Sequence, residues 1–151
     1  MSNISASKIK ELRDKTGAGM MDCKNALVEN DGNLDNATSW LRKKGIANAD
    51  KKSSRTASEG LVGLKTKQEI CVMIEINTET DFVSKNKDFQ EYVEKVLDIC
   101  STKVFTIKEL LIQKYDESYN IAEALKNLIA KIGENIVIRR LVYLTNDEGQ
   151  H

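Results

Sequence analysis

The sequence predicts an α+β protein in which a bundle of three helices precedes an antiparallel sheet that carries further helices. Two patterns lead to this prediction. Apolar residues recur at helical spacing in three short segments of residues 5–47, and alternation with a period of two marks strands between residues 60 and 144. The second part follows the order ββααβ, which is typical of α+β domains with a mostly antiparallel sheet.

The N-terminal bundle, residues 1–47, is expected to contain three short helices. They are predicted to start at Ser5 or Ser7, at about Met20 and at about Leu34, and to end before Gly17, near Asn30 and before Gly45. The glycines of residues 16–19 follow a helix and lack the lysine of a phosphate loop, so they predict a helix stop. Such a small bundle suggests a recognition module, and the polar residues 48–59 are predicted to be a linker.

The second part of the chain, residues 60–151, is predicted to begin with a hairpin and to end with a third strand. The expected strands are 60–67, 69–77 and 135–144, and the expected helices are about 84–101, 106–115 and 118–132. Four apolar residues of the third strand are expected on one face: Ile136, Ile138, Val142 and Leu144. Arg139 and Arg140 interrupt this strand, and surface salt bridges are the default interpretation of the pair.

The turn after the second strand is the most unusual part of the sequence. Residues 77–81 are polar and favour a loop or a helix start, and Phe82 follows them directly. In one interpretation, Phe82 packs beneath its own helix as a hydrophobic staple and Asp81 caps that helix. In the other interpretation, Phe82 is an exposed aromatic anchor that enters a pocket of a partner. The residues alone favour neither interpretation.

Met20 and Met21 pose a similar question at the start of the second helix. Two adjacent methionines cannot both face one core in a thin bundle, and methionine is frequent at adaptable binding surfaces. The pattern alone slightly favours core or incidental positions for the two side chains over a role in binding.

The composition excludes several classes of protein. The 151 residues include 23 basic and 23 acidic side chains, and a net charge of zero argues against a nucleic-acid backbone as the main partner. The three cysteines lack a CxxC spacing and the only histidine is His151, so neither a metal site nor a histidine-based catalytic pair is expected. No signal peptide or membrane-spanning run is visible, and reduced cysteines fit a cytoplasmic protein. We expect a non-enzymatic interaction protein.

Three motifs together resemble the translation elongation factor Ts family of bacteria and organelles. The first is KELRDKTGAGMMDCKNAL at residues 10–27, the second is EINTETDFV at residues 75–83, and the third is KIGENI at residues 131–136, followed by Arg139 and Arg140. The motifs lie in the family's order and at the expected separations, which makes the set far more specific than any single motif.

The resemblance implies a non-catalytic guanine-nucleotide exchange factor for elongation factor Tu, the GTPase that delivers aminoacyl-tRNA. It implies a ubiquitin-associated-like fold for residues 1–47 and the N-terminal half of a core domain for residues 60–151, in a chain expected to be truncated relative to the family. The residues that it assigns to Tu binding are Thr80, Asp81, Phe82, Val83, Arg13, Met20, Met21, Lys24, Lys52 and Ile132. It thereby favours the anchor interpretation of Phe82 and surface positions for both methionines.

The resemblance also implies no cofactor and no direct contact with nucleic acid or membrane, and a homodimer of the complex is one expected assembly. Two other classes of protein stay open. In a plain binding module, residues 1–55 alone would retain all partner binding. An enzyme with a carboxylate-based site is the third class, and nothing in the sequence motivates it.

Overall fold

A computed structural model describes residues 4–145 of the chain. The N-terminal helices are α1 (Ala6–Thr16), α2 (Met20–Glu29) and α3 (Leu34–Lys52). The second part contains the strands β1 (Glu59–Lys67), β2 (Ile70–Thr78) and β3 (Ile136–Thr145), and the helices α4 (Asp81–Ser84), α5 (Lys87–Cys100), α6 (Ile107–Leu111) and α7 (Ile121–Ile132). The α+β class is confirmed, and the two long helices of the predicted ββααβ order are α5 and α7.

Helix α3 is longer than the sequence predicted, because it continues through Gly45 to Lys52. A Cβ added at Gly45 would lie 3.1 Å from the Cβ of Ala130 on α7. The glycine therefore allows α3 and α7 to approach closely within a continuous helix. The predicted helix end at Gly45 is wrong, and residues 48–52 of the expected linker are helical.

Two clusters of buried apolar side chains hold the structure together. The smaller cluster lies within the bundle and consists of Leu12, Cys23, Ala26, Leu27, Ala37 and Leu41. The larger one lies between the sheet and the helices of the second part, and it also includes Ala49 near the end of α3. Helix α3 thus contributes to both clusters. The division of the chain into residues 1–47, 48–59 and 60–151 stays a prediction.

The sheet has the strand order β1-β2-β3, and both strand pairs are antiparallel, as predicted. Helix α5 packs on its inner face, where Ile74, Ile76 and Phe89 are fully buried. Gly63 of β1 permits this packing because an added Cβ would collide with the side chain of Leu97. Within residues 4–145, no helix has both the length and the apolar character of a membrane span.

A β-bulge interrupts the pairing of β2 with β3. Glu75 pairs with Arg140, whereas the next residue of β2, Ile76, pairs with Ile138. Arg139 is the extra residue between these two pairs. A bulge of this kind inserts one residue into one strand and bends that strand locally.

The bulge reverses the facing that the sequence predicted for the end of β3. Leu141 and Tyr143 pack against the larger cluster, and Val142 and Leu144 are 50% and 67% exposed. The expectation that Val142 and Leu144 share a face with the isoleucines before the bulge is therefore wrong, because it assumed uninterrupted alternation.

The outer face of the sheet carries exposed apolar side chains from all three strands. Leu64, Met73 and Val142 lie directly opposite one another in β1, β2 and β3, and they are 60%, 42% and 50% exposed. Cross-strand neighbours of this kind form one continuous apolar surface. The inner face of the sheet is covered by helices, and among residues 4–145 no helix or strand covers the outer face.

Candidate functional site

Three chain segments meet beside the end of β2, and we call this region the corner. Its segments are residues 52–55 after α3, residues 79–82 at the start of α4, and residues 132–135 between α7 and β3. Hydrogen bonds between side chains and backbone join residues 132–135 to each of the other two segments, and an ion pair between Arg55 and Glu79 joins those two to each other. The corner contains five of the residues that the resemblance assigned to partner binding, namely Lys52, Thr80, Asp81, Phe82 and Ile132.

Glu134 joins the segment after α7 to the start of α4. The backbone N–H of Thr80 donates to Oε2 of Glu134 at 3.0 Å, and the Thr80 hydroxyl donates to Oε1 of the same carboxylate at 2.7 Å. The fully buried Thr78 donates its hydroxyl to the carbonyl oxygen of Thr80 at 2.9 Å. Hydrogen bonds to an ionised carboxylate are stronger than those between neutral groups, so the Thr80 backbone is firmly held.

Glu79, before α4, makes a second connection to the segment after α7, and here it is the α4 side that supplies the carboxylate. The backbone N–H of Asn135 donates to Oε1 of Glu79 at 2.6 Å, and Arg55 Nη1 lies 3.5 Å from the same oxygen. The buried Asn135 side chain donates to the carbonyl oxygen of Arg55 at 2.7 Å. The turn that follows α3 is therefore tied to the same corner, and these buried polar groups have partners.

Helix α4 presents Phe82 to solvent. The Phe82 side chain is 80% exposed, whereas the neighbouring Val83 is 7% exposed and packs into the larger apolar cluster. The exposed Asp81 forms an ion pair with Lys85, with 3.2 Å between Oδ2 and Nζ. Phe82 does not pack beneath its own helix, and the residue at the N-cap is Thr80 rather than Asp81. The staple interpretation is therefore wrong for this structure.

The helix predicted from about residue 84 begins as a separate element. Helix α4 ends at Ser84, and α5 starts after Asn86, whose side chain accepts a hydrogen bond from the Phe89 N–H at 3.2 Å. Asparagine is a favoured N-cap residue, so the break coincides with a local sequence signal. Helices α4 and α5 are therefore separate elements, joined by Lys85 and Asn86.

Ile132 and Lys52 lie at the other two segments of the corner. Ile132 is the last residue of α7 and packs partly buried against the larger cluster, and Gly133 ends the helix in a left-handed conformation with φ of 89°. Lys52 is the last residue of α3. Lys52 and Ile132 therefore lie at the same corner as Asp81 and Phe82.

The remaining predicted contact residues lie on the bundle. Arg13 on α1 and Lys24 on α2 are exposed, and Met20 and Met21 are 53% and 64% exposed. The core position that the pattern slightly favoured for the methionines is therefore wrong. Val28, about two turns after the methionines on α2, is 50% exposed and extends the apolar part of this surface. No sequence prediction singled out Val28.

A cleft of about 300 Å³ lies between the bundle and α7. It is lined by residues of the α1–α2 turn, such as Thr16 and Gly19, and by Arg42 of α3 and Lys131 of α7. The four basic side chains in its lining each form an ion pair with a carboxylate: Lys15, Arg42, Lys44 and Lys131. The cleft therefore separates the bundle from α7, and its lining residues lie outside the three segments of the corner.

The pKa values of two buried cysteine thiols, Cys23 and Cys100, are raised. Burial raises the pKa of Cys100 to about 11, and burial also raises the pKa of Cys23. Only the thiolate is a strong nucleophile or metal ligand. Among residues 4–145, no three His, Cys, Asp or Glu side chains form a group that could hold a metal ion. The corner offers a partner an apolar ring and a carboxylate.

Sequence reasoning gave no role to four residues that join the segments of the corner: Arg55, Glu79, Glu134 and Asn135. Glu79, Glu134 and Asn135 lie inside the motifs that carry the family resemblance, but the sequence does not show that they pair across 54 to 56 positions. Arg55 lies in the segment expected to be a linker. A polar residue at the end of a strand or helix is too common to predict a long-range partner.

Comparison with known proteins identifies the family. A family model described as Elongation factor TS matches residues 79–151. The elongation factor Ts of Rhizobium etli is 46% identical over 150 residues, and those of Rhodospirillum centenum and Xanthobacter autotrophicus are each 47% identical over 150 residues. Each match covers 99% of this chain and 49% of the relative, so the chain spans about half the length of these relatives. The chain belongs to the elongation factor Ts family.

Proposed function

We propose that the chain acts in translation elongation as a guanine-nucleotide exchange factor for elongation factor Tu in the cytoplasm. The observation that carries this proposal is Phe82, which is 80% exposed on a short helix whose backbone is held in place at the corner. Membership of the elongation factor Ts family supports the choice of partner.

The energetics of Phe82 favour a role as an anchor. Burying a phenylalanine side chain contributes about 1.5–3 kcal/mol, and most of this free energy is not gained when the chain folds alone. The ring is carried by a backbone that hydrogen bonds already fix, so binding costs little further conformational entropy. Exposed aromatic anchors with these properties dominate the free energy of many interfaces.

The proposed mechanism requires differential binding and no covalent chemistry. Phe82 inserts between elements near the phosphate loop of Tu, and Asp81 lies beside the Mg²⁺ and phosphate site. Displacing the groups that hold Mg²⁺ leaves the phosphate charge less compensated, so GDP is held more weakly. By linkage, the chain binds nucleotide-free Tu more tightly than GDP-bound Tu by the same factor. The chain needs no cofactor and acts as a non-catalytic exchange factor.

The other predicted residues take supporting roles in this proposal. Thr80 and the buried Val83 hold α4, while Lys52 and Ile132 contact Tu beside Phe82. A second contact is formed by the exposed side chains of the bundle, namely Arg13, Met20, Met21 and Lys24. No contact with nucleic acid or membrane is part of the proposal.

The expected homodimer of the complex also stays a prediction. The outer face of the sheet supports it, because Leu64, Met73 and Val142 form a row of exposed apolar side chains there. Sedimentation of the chain with and without Tu would measure the assembly. A strictly monomeric chain in a complex with one Tu molecule would contradict the homodimer.

The experiment that tests the exchange function is release of a fluorescent GDP analogue from Tu, followed with and without the chain. We expect the wild-type chain to accelerate release and Phe82→Ala to lose most of the acceleration. Ile112→Ala is the matched control, because Ile112 is a large apolar side chain that is 72% exposed at the end of α6. Failure of the wild-type chain to accelerate release, or equal rates for both variants, would refute the proposal.

A further inference from the structure

We propose that Glu134 is a positioning residue for Phe82. Its carboxylate holds Thr80 and thereby fixes the direction of α4 before any partner binds. The consequence for GDP release rests on the exchange function proposed above, whereas the consequence for the local backbone can be measured in the free protein.

The shortness of α4 makes an external anchor necessary. Helix α4 has four residues, and a single isolated turn is not stable on its own. Val83 anchors its middle by burial, and the carbonyl oxygen of Ser84 accepts a hydrogen bond from the Gln90 side chain at 3.2 Å. Both of these contacts follow Phe82 in the chain. Two anchors precede Phe82: the Thr78 hydroxyl donates to the Thr80 carbonyl oxygen two positions away, and Glu134, 54 positions away, accepts from the Thr80 N–H and hydroxyl. Of these two, Glu134 is the one that connects Thr80 to a distant part of the chain.

The Thr80 side chain contacts Glu134 and makes no N-cap hydrogen bond to α4. A threonine at an N-cap ordinarily accepts a hydrogen bond from an N–H of the first turn. The Thr80 side chain makes no such bond to α4, and its hydroxyl donates to Glu134 instead. The local stabilisation of a cap is thus replaced by a connection between residues 54 positions apart. Replacing a local cap by a long-range hydrogen bond is expected where the orientation of α4 relative to α7 matters.

The start of α6 provides a matched comparison. There the N–H and the hydroxyl of Thr106 both donate to Oε2 of Glu109, at 2.8 and 2.9 Å. As at the corner, the N–H and the hydroxyl of a threonine donate to a glutamate carboxylate. However, Glu109 is three residues away, and Thr106 also accepts from the Glu109 N–H in a capping box. That contact stabilises one helix locally and does not connect two elements.

The first test measures hydrogen exchange of the amides of residues 80–84 in the free protein. We expect Glu134→Ala to accelerate this exchange about tenfold or more, because the hydrogen bonds to a charged carboxylate are lost. Glu134→Gln should accelerate it less. Thr80→Ser keeps both donors and should behave like the wild type. Glu109→Ala should leave these amides unchanged. Unchanged exchange in both Glu134 variants would overturn the proposal.

The second test measures GDP release from Tu as a function of chain concentration. Glu134→Ala should lower the maximal rate of GDP release about tenfold, because Phe82 is no longer positioned. The variant should change the half-saturating chain concentration less than about threefold, because the bundle contacts are retained. An equal fall in the Glu109→Ala control would show a general effect on folding and would overturn the proposal. If the wild-type chain does not accelerate release, the exchange function fails, and the amide exchange still decides the role of Glu134.

Discussion

Phe82 and Phe89 lie seven positions apart and have opposite surroundings, since Phe82 is 80% exposed and Phe89 is fully buried. Phe82→Ala should change the free energy of unfolding by less than about 0.5 kcal/mol, as is usual for surface substitutions. Phe89→Ala should lower it by about 3–5 kcal/mol, because it leaves a cavity in the larger cluster. Urea unfolding of both variants measures the difference, and equal losses would contradict the exposed position of Phe82.

The Cys100 thiol gives a prediction about alkaline pH. Burial raises its pKa from 9.0 to about 11, so the unfolded chain releases this proton at lower pH than the folded chain. The folded state therefore keeps its full stability below about pH 9 and loses some of it as the pH rises towards about 11. The measurement is the free energy of unfolding against pH for the wild type and Cys100→Ala. The alanine variant should have the shallower slope, and identical slopes would contradict the prediction.

The sequence could identify Phe82 as unusual but could not decide its environment. The same polar turn before an aromatic residue fits a staple and an anchor, because both begin with a helix start. The outcome depends on Val83, which occupies the apolar site beneath α4, and on Glu134, which holds the backbone. The methionines differ in that two neighbours on a helix necessarily point in different directions, and here neither points into the bundle.

Arg139 and Arg140 are adjacent in β3, but their side chains make different contacts. Arg139 donates to the Asn77 side-chain oxygen at 3.0 Å and to the Ala57 carbonyl oxygen at 3.1 Å. Arg140 pairs with Glu75, with 3.0 Å between Nε and Oε2, and its side chain is 74% exposed. The default interpretation as a surface salt bridge therefore holds for Arg140, while Arg139 joins three parts of the chain.

This difference predicts unequal costs of substitution. Arg139→Ala should destabilise the protein by about 1–3 kcal/mol, because two acceptors at the buried Asn77 and Ala57 lose their donor. Arg140→Ala should cost less than about 1 kcal/mol, as is usual for exposed ion pairs. Thermal or urea unfolding of the two variants provides the test. A larger loss for Arg140→Ala would contradict the bulge geometry.

At the level of helices and strands, existence was easier to predict than extent or facing. Apolar periodicity predicted β2, α5 and α7, because each buries a regular stripe. It failed at Gly45, where glycine serves a close helix contact, and at Arg139, where one extra residue shifts the alternation. Both failures have the same cause, since a contact with a distant element determines the local structure and leaves no local signal.

The whole molecule is organised by contacts that the sequence does not reveal. Helix α3 reaches from the bundle cluster to the larger cluster, and the hydrogen bonds between segments of the corner join residues that are 54 to 82 positions apart. The resemblance carried by the motifs assigns residues to partner binding, and that assignment stays a prediction. The structure adds the polar framework beneath them, which can only be recognised once the three segments are seen together.

The proposed function predicts that the chain distinguishes two states of Tu. Calorimetric titration should give a higher affinity for nucleotide-free Tu than for GDP-bound Tu, by about tenfold or more, which is within the usual range of coupling free energies. The same titration with Phe82→Ala should give an affinity ratio closer to one, since insertion of the Phe82 ring is proposed to weaken the binding of GDP to Tu. Equal affinities of the wild-type chain for the two states of Tu would contradict exchange by differential binding.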